Sequence, residues 1–396
     1  MHAPSDDLFA GRFALAAEVG RGASGVVYRA LDVASGEQAA VKLIADTSST
    51  PEDRERFLAE GEVLSTVEHP NIVHVLAYGT LEVGYADAHG HRAPAGTPYV
   101  AMEWLEGEDL GARQRRSPLS LRAAVDVIRQ VAEALDCAHT AKIVHRDVKP
   151  SNIFLLDASA LGADGQSATL RSSALLAARA GLHAKLLDFG VAAAGDTSLA
   201  GAGAIVGTPA YMAPEQAQGD AAPDARSDLF ALGAVLYELC AGRPPHAAPT
   251  SIATLARRVT GPAPRLSEAL LEVPASLDEL VAQLLEAEPS RRPASARVVA
   301  DRLAALGESA ELARVEKLVL REDDSRARLG PRLVTTLVAL GVATGEIRAA
   351  ELARIRALGA DALPLGADSI VVHLGARQAH GDEAQRAIDL GRELAQ

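Results

Sequence analysis

Three glycines near the start of the chain, Gly20, Gly22 and Gly25, stand in the spacing G-x-G-x-x-G, and the residues after them restrict the fold more than any other stretch. Dinucleotide-binding folds share the spacing, but there a helix opens directly after the glycines and its N-terminus receives the pyrophosphate. Here Val26, Val27 and Tyr28 follow, and these are strand formers. A strand, a glycine turn and a second strand make a hairpin that lays backbone N–H groups over phosphates. The candidate phosphate-covering residues are Gly20, Arg21, Gly22, Ala23, Ser24 and Gly25. A further strand-like run, AAVKLI, carries Lys42 at its middle. An ammonium inside a buried strand is costly unless paired. Phe57, Glu60, Leu64 and Val67 recur at helical spacing, so Glu60 lies on the apolar face of a helix starting near Pro51. Glu60 is the candidate partner of Lys42.

The use of lysine singles out the same region. Of 39 basic residues only five are lysine: Lys42, Lys142, Lys149, Lys185 and Lys317. The rest are arginine. A slim, strongly hydrated point charge is chemically distinct from a planar guanidinium, so retained lysines in such a chain favour phosphate-facing roles.

Composition closes off several classes. A chain of 396 residues makes two or three domains. With 48% hydrophobic and 23% charged residues it is not mostly disordered, and with 3% aromatics its core is built from Ala, Leu and Val. No apolar run reaches the ~18 residues of a membrane span. Leu333 to Ala343 is too short and holds Thr335 and Thr336. The N-terminus lacks the basic and apolar blocks of a signal peptide, so the expected location is cytoplasmic. Cys137 and Cys240 sit in helix-like apolar runs and read as core residues of a reducing compartment. A net charge of −13 argues against nucleic acid or anionic membranes as partners.

Along the chain, strands are expected at Phe13–Val19, Val26–Ala30 and Ala39–Ile44. A helix opens after Ser120 with Val125, Ile128, Ala132 and Leu135 as its buried stripe, and Asp228–Cys240 is apolar on nearly every side, as a helix in the middle of a large lobe would be. Residues 81–98 and 158–183 read as inserted surface loops, though Leu170 to Ala180 has a helical alternative.

The remaining motifs fall in a fixed order: GxGxxGxV at Gly20–Val27, VK at Val41–Lys42, HRDVKPSN at His145–Asn152, DFG at Asp188–Gly190, GTPAYMAPE at Gly207–Glu215, SDLFALG at Ser227–Gly233, and PSRRP around Arg292. The chain resembles a Ser/Thr protein kinase of the bacterial eukaryotic-like (Hanks) type over residues 9–305. The resemblance implies an α+β, two-lobed fold, with a strand-rich N-lobe at 9–103 and a helical C-lobe at 104–305. It implies a non-specific Ser/Thr kinase that moves the ATP γ-phosphate to protein hydroxyls with Mg²⁺, or Mn²⁺ in its place, and that autophosphorylates in signal transduction.

By the same resemblance, Asp147 orients the acceptor hydroxyl or takes its proton, and Lys149 places a cation beside it and marks Ser/Thr over Tyr specificity. Asn152 and Asp188 are the metal ligands, hard oxygens of the kind Mg²⁺ selects. Lys42, held by Glu60, meets the α/β-phosphates. Met102 guards the back of the pocket, Glu103 and Leu105 offer backbone groups to adenine, and Val27 and Ala40 cover its faces; Trp104 is assigned to packing. Glu215 and Arg292 resemble a buried salt bridge, and Asp228 a residue that ties down the HRD loop. Two other readings stand beside an active kinase: a nucleotide-binding pseudokinase, disfavoured by the complete motif set, and a small-molecule phosphotransferase, disfavoured by the APE segment and Lys149.

The segment between Asp188 and Glu215 departs from the family. Arg146 calls for an activation-segment phosphate, yet the usual threonine position is Ala202. Either Thr197 or Ser198 takes the phosphate from a more distant position, or activation does not need one; Thr208 fits the family's substrate-docking threonine and is structural. After residue 305, residues 306–330 read as a linker or helical segment and 331–396 as a small βαββα module. Its elements are Arg332–Val342, Arg348–Ala357, Ala362–Leu365 limited to an edge by Pro364, Ser369–Leu374 and Glu383–Leu394. The module faintly resembles the opening half of a nucleotide-cyclase-like domain, but its first strand, LVTTLVALG, has no metal-binding Asp and the later strands are missing. It is expected to be a non-catalytic sensing or association module, with an open edge suited to self-association.

Overall fold

The computed structural model describes residues 8–22, 25–44, 58–59, 61–87, 90–157, 182–189, 210–218, 223–247, 254, 257–258, 261–270, 272–315, 335–340, 360–364 and 369–374. The chain divides into two compact units, Met1–Glu316 and Lys317–Gln396.

The first unit opens with strands β1 (Phe13–Gly22), β2 (Gly25–Asp32) and β3 (Gln38–Ile44). With β4 (Val75–Thr80) and β7 (Pro98–Glu103) they form an antiparallel sheet of order β1-β2-β3-β7-β4. The glycine motif is a hairpin, as its flanking residues required: Gly22 pairs with Gly25 across the turn. β1 runs to Gly22, beyond the expected Val19, because the glycines extend the ladder before it turns. Register sorts the side chains into two faces. Tyr28, Val41 and Ala101 lie opposite one another and are buried in the N-lobe core with Phe9 and Phe13. The alternate residues Val27, Lys42 and Val100, then Ala40 and Met102, share the other face. Arg12 binds the Asp32 carboxylate through Nε at 2.9 Å and Nη2 at 2.7 Å and closes the end of this sheet.

The described residues of 81–98 (81–87 and 90–98) are not a solvated loop, which corrects the sequence reading. β5 (Tyr85–Ala86) and β6 (Arg92–Ala93) form a small hairpin, and Leu81, Tyr85 and Ala93 enter the N-lobe core. Phe9 meets Tyr85 and Tyr99 edge-on, with ring centroids 5.2 and 5.1 Å apart. The Asp87 carboxylate ties the turn by accepting from Tyr85 Oη and from the backbone N–H of His91. Two-residue strands are too short to show a period, so the sequence gives no alternation to detect. Residues 158–181 lie outside the described residues, as does the helical alternative there; His183, read as the end of that insertion, instead starts a strand, β10 (His183–Leu186).

The C-lobe is helical. α1 (Leu110–Arg116) is capped by Asp109, and α2 (Leu121–Thr140) by Ser120, whose hydroxyl accepts from the N–H of Ala123. α2 buries Val125, Ile128, Ala132 and Leu135, the stripe read from spacing. α3 (Pro214–Gln218) precedes α4 (Ala225–Ala241), which is buried from Ser227 through Tyr237. α5 (Leu266–Ala269), α6 (Ala275–Leu284) and α7 (Ala296–Gly307) complete the lobe. Leu64, from the helical residues 61–65, and Val67, just after them, join this C-lobe core. The start of that helix lies outside the described residues. Residues 310–315 are helical and bury Leu312 and Val315, so this part of the expected linker is packed onto the first unit. β8 (Gly107–Asp109), β9 (Ile153–Leu156) and β10 form a small antiparallel sheet of order β10-β9-β8.

The second unit holds a three-stranded sheet of β11 (Thr335–Leu340), β12 (Ala360–Pro364) and β13 (Ser369–Leu374). β13 is central and antiparallel to both neighbours, and Pro364 falls on an edge strand, as proline's missing N–H dictates. The expected helices of this module lie outside the described residues.

Arg292, with a fully buried side chain, grips Glu215 through Nη1–Oε1 at 2.6 Å and Nη2–Oε2 at 2.8 Å. Ser227 Oγ adds a third hydrogen bond, and the guanidinium lies over the Phe230 ring at 5.0 Å. Burial pushes the Glu215 carboxyl up, but the hydrogen bonds from Arg292 and Ser227 outweigh it and hold the group below its usual range. Arg292→Met leaves an uncompensated buried carboxylate and is expected to cost about 3–5 kcal/mol in urea unfolding. Glu215's folded pKa is depressed, so the pair stabilises above the unfolded value near ~4.3 and loses that contribution as pH falls through the folded value. Acid unfolding should therefore be steeper in wild type than in Arg292→Met/Glu215→Leu.

Candidate functional site

The loop after α2 runs from His145 to Asn152, and its backbone is fixed from below. Asp228 at the first turn of α4, 1% exposed, accepts from the N–H of His145 at 2.8 Å and of Arg146 at 2.7 Å. His139 Nε2 bonds the same carboxylate at 2.8 Å. Arg146 is thereby held at a φ of 67°, a left-handed conformation costly for a side-chain-bearing residue. Gln216, which the sequence reading did not single out, donates to the Arg146 carbonyl at 3.1 Å. His145 Nδ1 accepts from the N–H of Asp147, so Nε2 carries the proton and donates to the Leu187 carbonyl at 2.8 Å.

This scaffold brings Asp147, Lys149 and Asn152 together. Lys149 Nζ lies 2.6 Å from Asp147 Oδ2. The Asn152 amide nitrogen donates to the Asp147 carbonyl at 2.8 Å and to Oδ2 at 3.1 Å. Both bonds use nitrogen, which sets the amide's orientation and leaves Oδ1 outside these two bonds. The Asn152 carbonyl accepts from the N–H of Leu187, which joins the loop to the residue before Asp188.

Asp188 also has positive φ, 50°, and its carboxylate is partly exposed. Lys42 Nζ donates to Asp188 Oδ2 at 2.7 Å. Among the described residues Lys42 pairs with Asp188; Glu60 lies outside the described residues. Among the described residues no cluster of three His, Cys, Asp or Glu side chains forms a self-sufficient metal cage. Two hard oxygen donors, Asn152 Oδ1 and Asp188, are the set that Mg²⁺ takes when phosphates and waters complete its shell.

The glycine hairpin fits a phosphate cover. Gly25 has φ +139°, and a Cβ there would lie 1.9 Å from the Leu43 carbonyl oxygen, so the fold itself demands glycine. At Gly20 and Gly22 a Cβ would meet nothing within 4 Å; these keep open space on the exposed side of the hairpin. Arg21 is exposed and bonded to Glu18 at 2.9 Å, and Ala23 and Ser24 lie outside the described residues. Val27, Ala40, Lys42 and Met102 share one sheet face, as the pocket assignment needs. Leu105 follows β7 and is half-buried. Glu103 does more than its assigned backbone role: its side chain reaches Lys185 and the N–H of His74. Trp104 is half-buried; its Nε1 donates to Glu106 and its ring packs under the Arg29 guanidinium at 5.0 Å.

Thr197, Ser198, Ala202 and Thr208 lie outside the described residues. Beyond them Arg258 donates to the carbonyls of Met212 and Ala210 and lies over Phe230 at 5.4 Å. The sequence shows no sign of this, because the partners are backbone atoms. Cys137 and Cys240 form no disulfide, and burial pushes the Cys240 thiol up to about 12.

A strand-rich lobe with a glycine hairpin, a helical lobe and a loop of Asp, Lys and Asn define a two-lobed phosphotransferase. Residues 13–303 match the protein kinase domain family, and the chain belongs to it. It is similar to the serine/threonine-protein kinases Pkn1 of Myxococcus xanthus, 36% identical over 288 residues, and PknA of Mycobacterium tuberculosis, 34% identical over 300. Those matches cover 72% and 75% of this chain but only 37% and 61% of the relatives. The solved kinase domain of Mycobacterium tuberculosis PknI superposes with a TM-score of 0.55 at 25% identity, covering 77% of this chain and 99% of that one.

Asp228→Ala removes the acceptor of two buried backbone N–H groups, each worth about 1–3 kcal/mol when orphaned. The expected result is a fall in kcat of more than tenfold, with nucleotide affinity measured by fluorescence titration changed far less.

Proposed function

We propose that this chain is an active Ser/Thr protein kinase that uses ATP with Mg²⁺ and phosphorylates protein hydroxyls, itself included. The observation that carries this reading is the hydrogen-bonded set Lys149–Asp147–Asn152, joined through Leu187 to the Lys42–Asp188 pair. Asp147 accepts the proton of the acceptor hydroxyl as its oxygen bonds the γ-phosphorus and the ADP oxygen departs. Lys149, already on Asp147 Oδ2, screens that carboxylate from the incoming phosphoryl charge. Asn152 and Asp188 would hold the metal, which would supply neutralisation of charge on the β- and γ-phosphates. Lys42 moves its hydrogen bond from Asp188 to the α/β-phosphates. Val27, Ala40 and Met102 enclose the purine, and the backbone groups of Glu103 and Leu105 read its edge.

Protein substrates follow from this activity. No helix among the described residues is long and apolar enough to cross a membrane. The unbonded thiols support a reducing compartment, and we place the chain in the cytoplasm, without nucleic acid as a partner. Residues 331–396 act as a non-catalytic association module, a reading supported by β13 lying between β11 and β12, the order of a split βαβ unit.

Asp147→Asn should abolish radiolabel transfer from ATP while leaving nucleotide binding in place, since this carboxylate acts on the acceptor. Lys42→Met should cut transfer by orders of magnitude, and Lys42→Arg should not rescue it. Wild-type-like transfer by Asp147→Asn would sink the assignment.

A chain ending at residue 316, which keeps the packed turn 310–315, should retain transfer to a generic substrate and differ from full length in sedimentation velocity. Equal behaviour in both assays would remove the association role.

A further inference from the structure

Lys185 is one of the five lysines in a chain that otherwise uses arginine, and no step above employs it. It is 5% exposed, at the third position of β10, three residues before Asp188. A buried ammonium persists only with close partners. Its Nζ donates to Glu103 Oε1 at 2.6 Å and to the Ile72 carbonyl at 3.2 Å. The same Glu103 oxygen accepts from the N–H of His74 at 2.8 Å, and the N–H of Glu103 returns a bond to the His74 carbonyl at 3.0 Å.

Three segments therefore meet at one carboxylate oxygen. One is the end of β7, where Met102 and Glu103 border the assigned purine site. The second is residues 71–74, which follow the helical residues ending at 65. The third is β10, whose next residues deliver Asp188. The last two are joined further by backbone bonds from Leu186 N to Asn71 O at 2.8 Å and from Val73 N to Leu186 O at 3.1 Å. The Glu103–His74 bonds tie β7 to residues 71–74, and the Lys185–Glu103 contact is the side-chain bond that ties β7 to β10.

Replacing a buried ion pair with apolar residues of similar volume is often neutral or stabilising, so the pair's presence is weakly explained by stability. Its chemistry suits position instead. A single tetrahedral nitrogen donates here to a carboxylate and a carbonyl at once, a convergence that the fixed planar fork of a guanidinium does not reproduce.

We propose that the Lys185–Glu103 pair is a positioning device that fixes the purine-reading end of β7 relative to the metal-binding Asp188, and so sets affinity for ATP without touching it. This rests on the nucleotide site assigned above. Lys185 is a positioning residue, not a catalytic one.

The test uses the full chain, with steady-state kinetics in ATP, direct titration with a fluorescent ADP analogue, and thermal unfolding. Wild-type transfer and ADP binding are measured first; their absence would refute the nucleotide site itself and not the pair alone. Lys185→Met should raise KM for ATP and Kd for the analogue about tenfold, the loss of one charged hydrogen bond, with kcat within about twofold. Lys185→Arg should not restore either. Lys185→Met/Glu103→Gln carries no orphaned charge and keeps an acceptor for the His74 N–H, so it should recover the wild-type Tm yet keep the raised KM. If the double variant recovers both Tm and KM, the pair is merely structural and the proposal is overturned. A fall in kcat at unchanged KM for ATP would overturn it as well.

Discussion

The N–H groups of His145 and Arg146 have no helix or strand to bond with, and both turn down onto the Asp228 carboxylate. That contact decides the shape of the loop above it. Because Asp228 stands at the first turn of a helix buried on nearly all sides, the loop inherits the rigidity of the C-lobe core. Held this way, Arg146 takes a left-handed conformation that an isolated peptide would avoid, and the chain doubles back so that Asp147, Lys149 and Asn152 converge within hydrogen-bonding distance. The His145 ring then passes the constraint to Leu187, hence to Asp188. A carboxylate with no part in phosphate chemistry is the reference point for those that have one.

The electrostatics of the site are arranged in pairs. Lys149 neutralises Asp147, and Lys42 neutralises Asp188, 146 residues away in sequence. In this arrangement the lysine occupies a carboxylate oxygen that a bound metal would share with phosphates. The ammonium is therefore already in the neighbourhood where polyphosphate charge would arrive, and its exchange from one anion to another requires no long movement of the chain.

Much of this was legible in the sequence because it rests on local order. Asp147, Lys149 and Asn152 lie within six residues, and Val27, Ala40, Lys42 and Met102 follow from strand alternation once the sheet is known. The Glu215–Arg292 bridge was recognisable by resemblance. What was hidden depends on contacts with no period or motif. Lys185 was visible only as a retained lysine, without a hint of Glu103. Gln216 and Arg258 bond backbone carbonyls, which every residue possesses, so identity of the partner carries no signal. The hairpin at 85–93 is anchored by single apolar residues at irregular intervals, and such anchors look like loop residues until Phe9 and Tyr99 are placed beside them.

Phe230 lies two residues after Asp228 on α4 and carries the guanidinium groups of Arg292 and Arg258 against its ring. Arg258 in turn holds the carbonyls of Ala210 and Met212, at the end of the segment that precedes the APE motif. The loop bearing Asp147 and this segment are thus both surveyed from one pair of neighbouring residues on a single helix. Errors in placing them do not accumulate along separate paths through the lobe. The alignment of one with the other is limited by the bending of about half a helical turn, roughly 3 Å of helix axis.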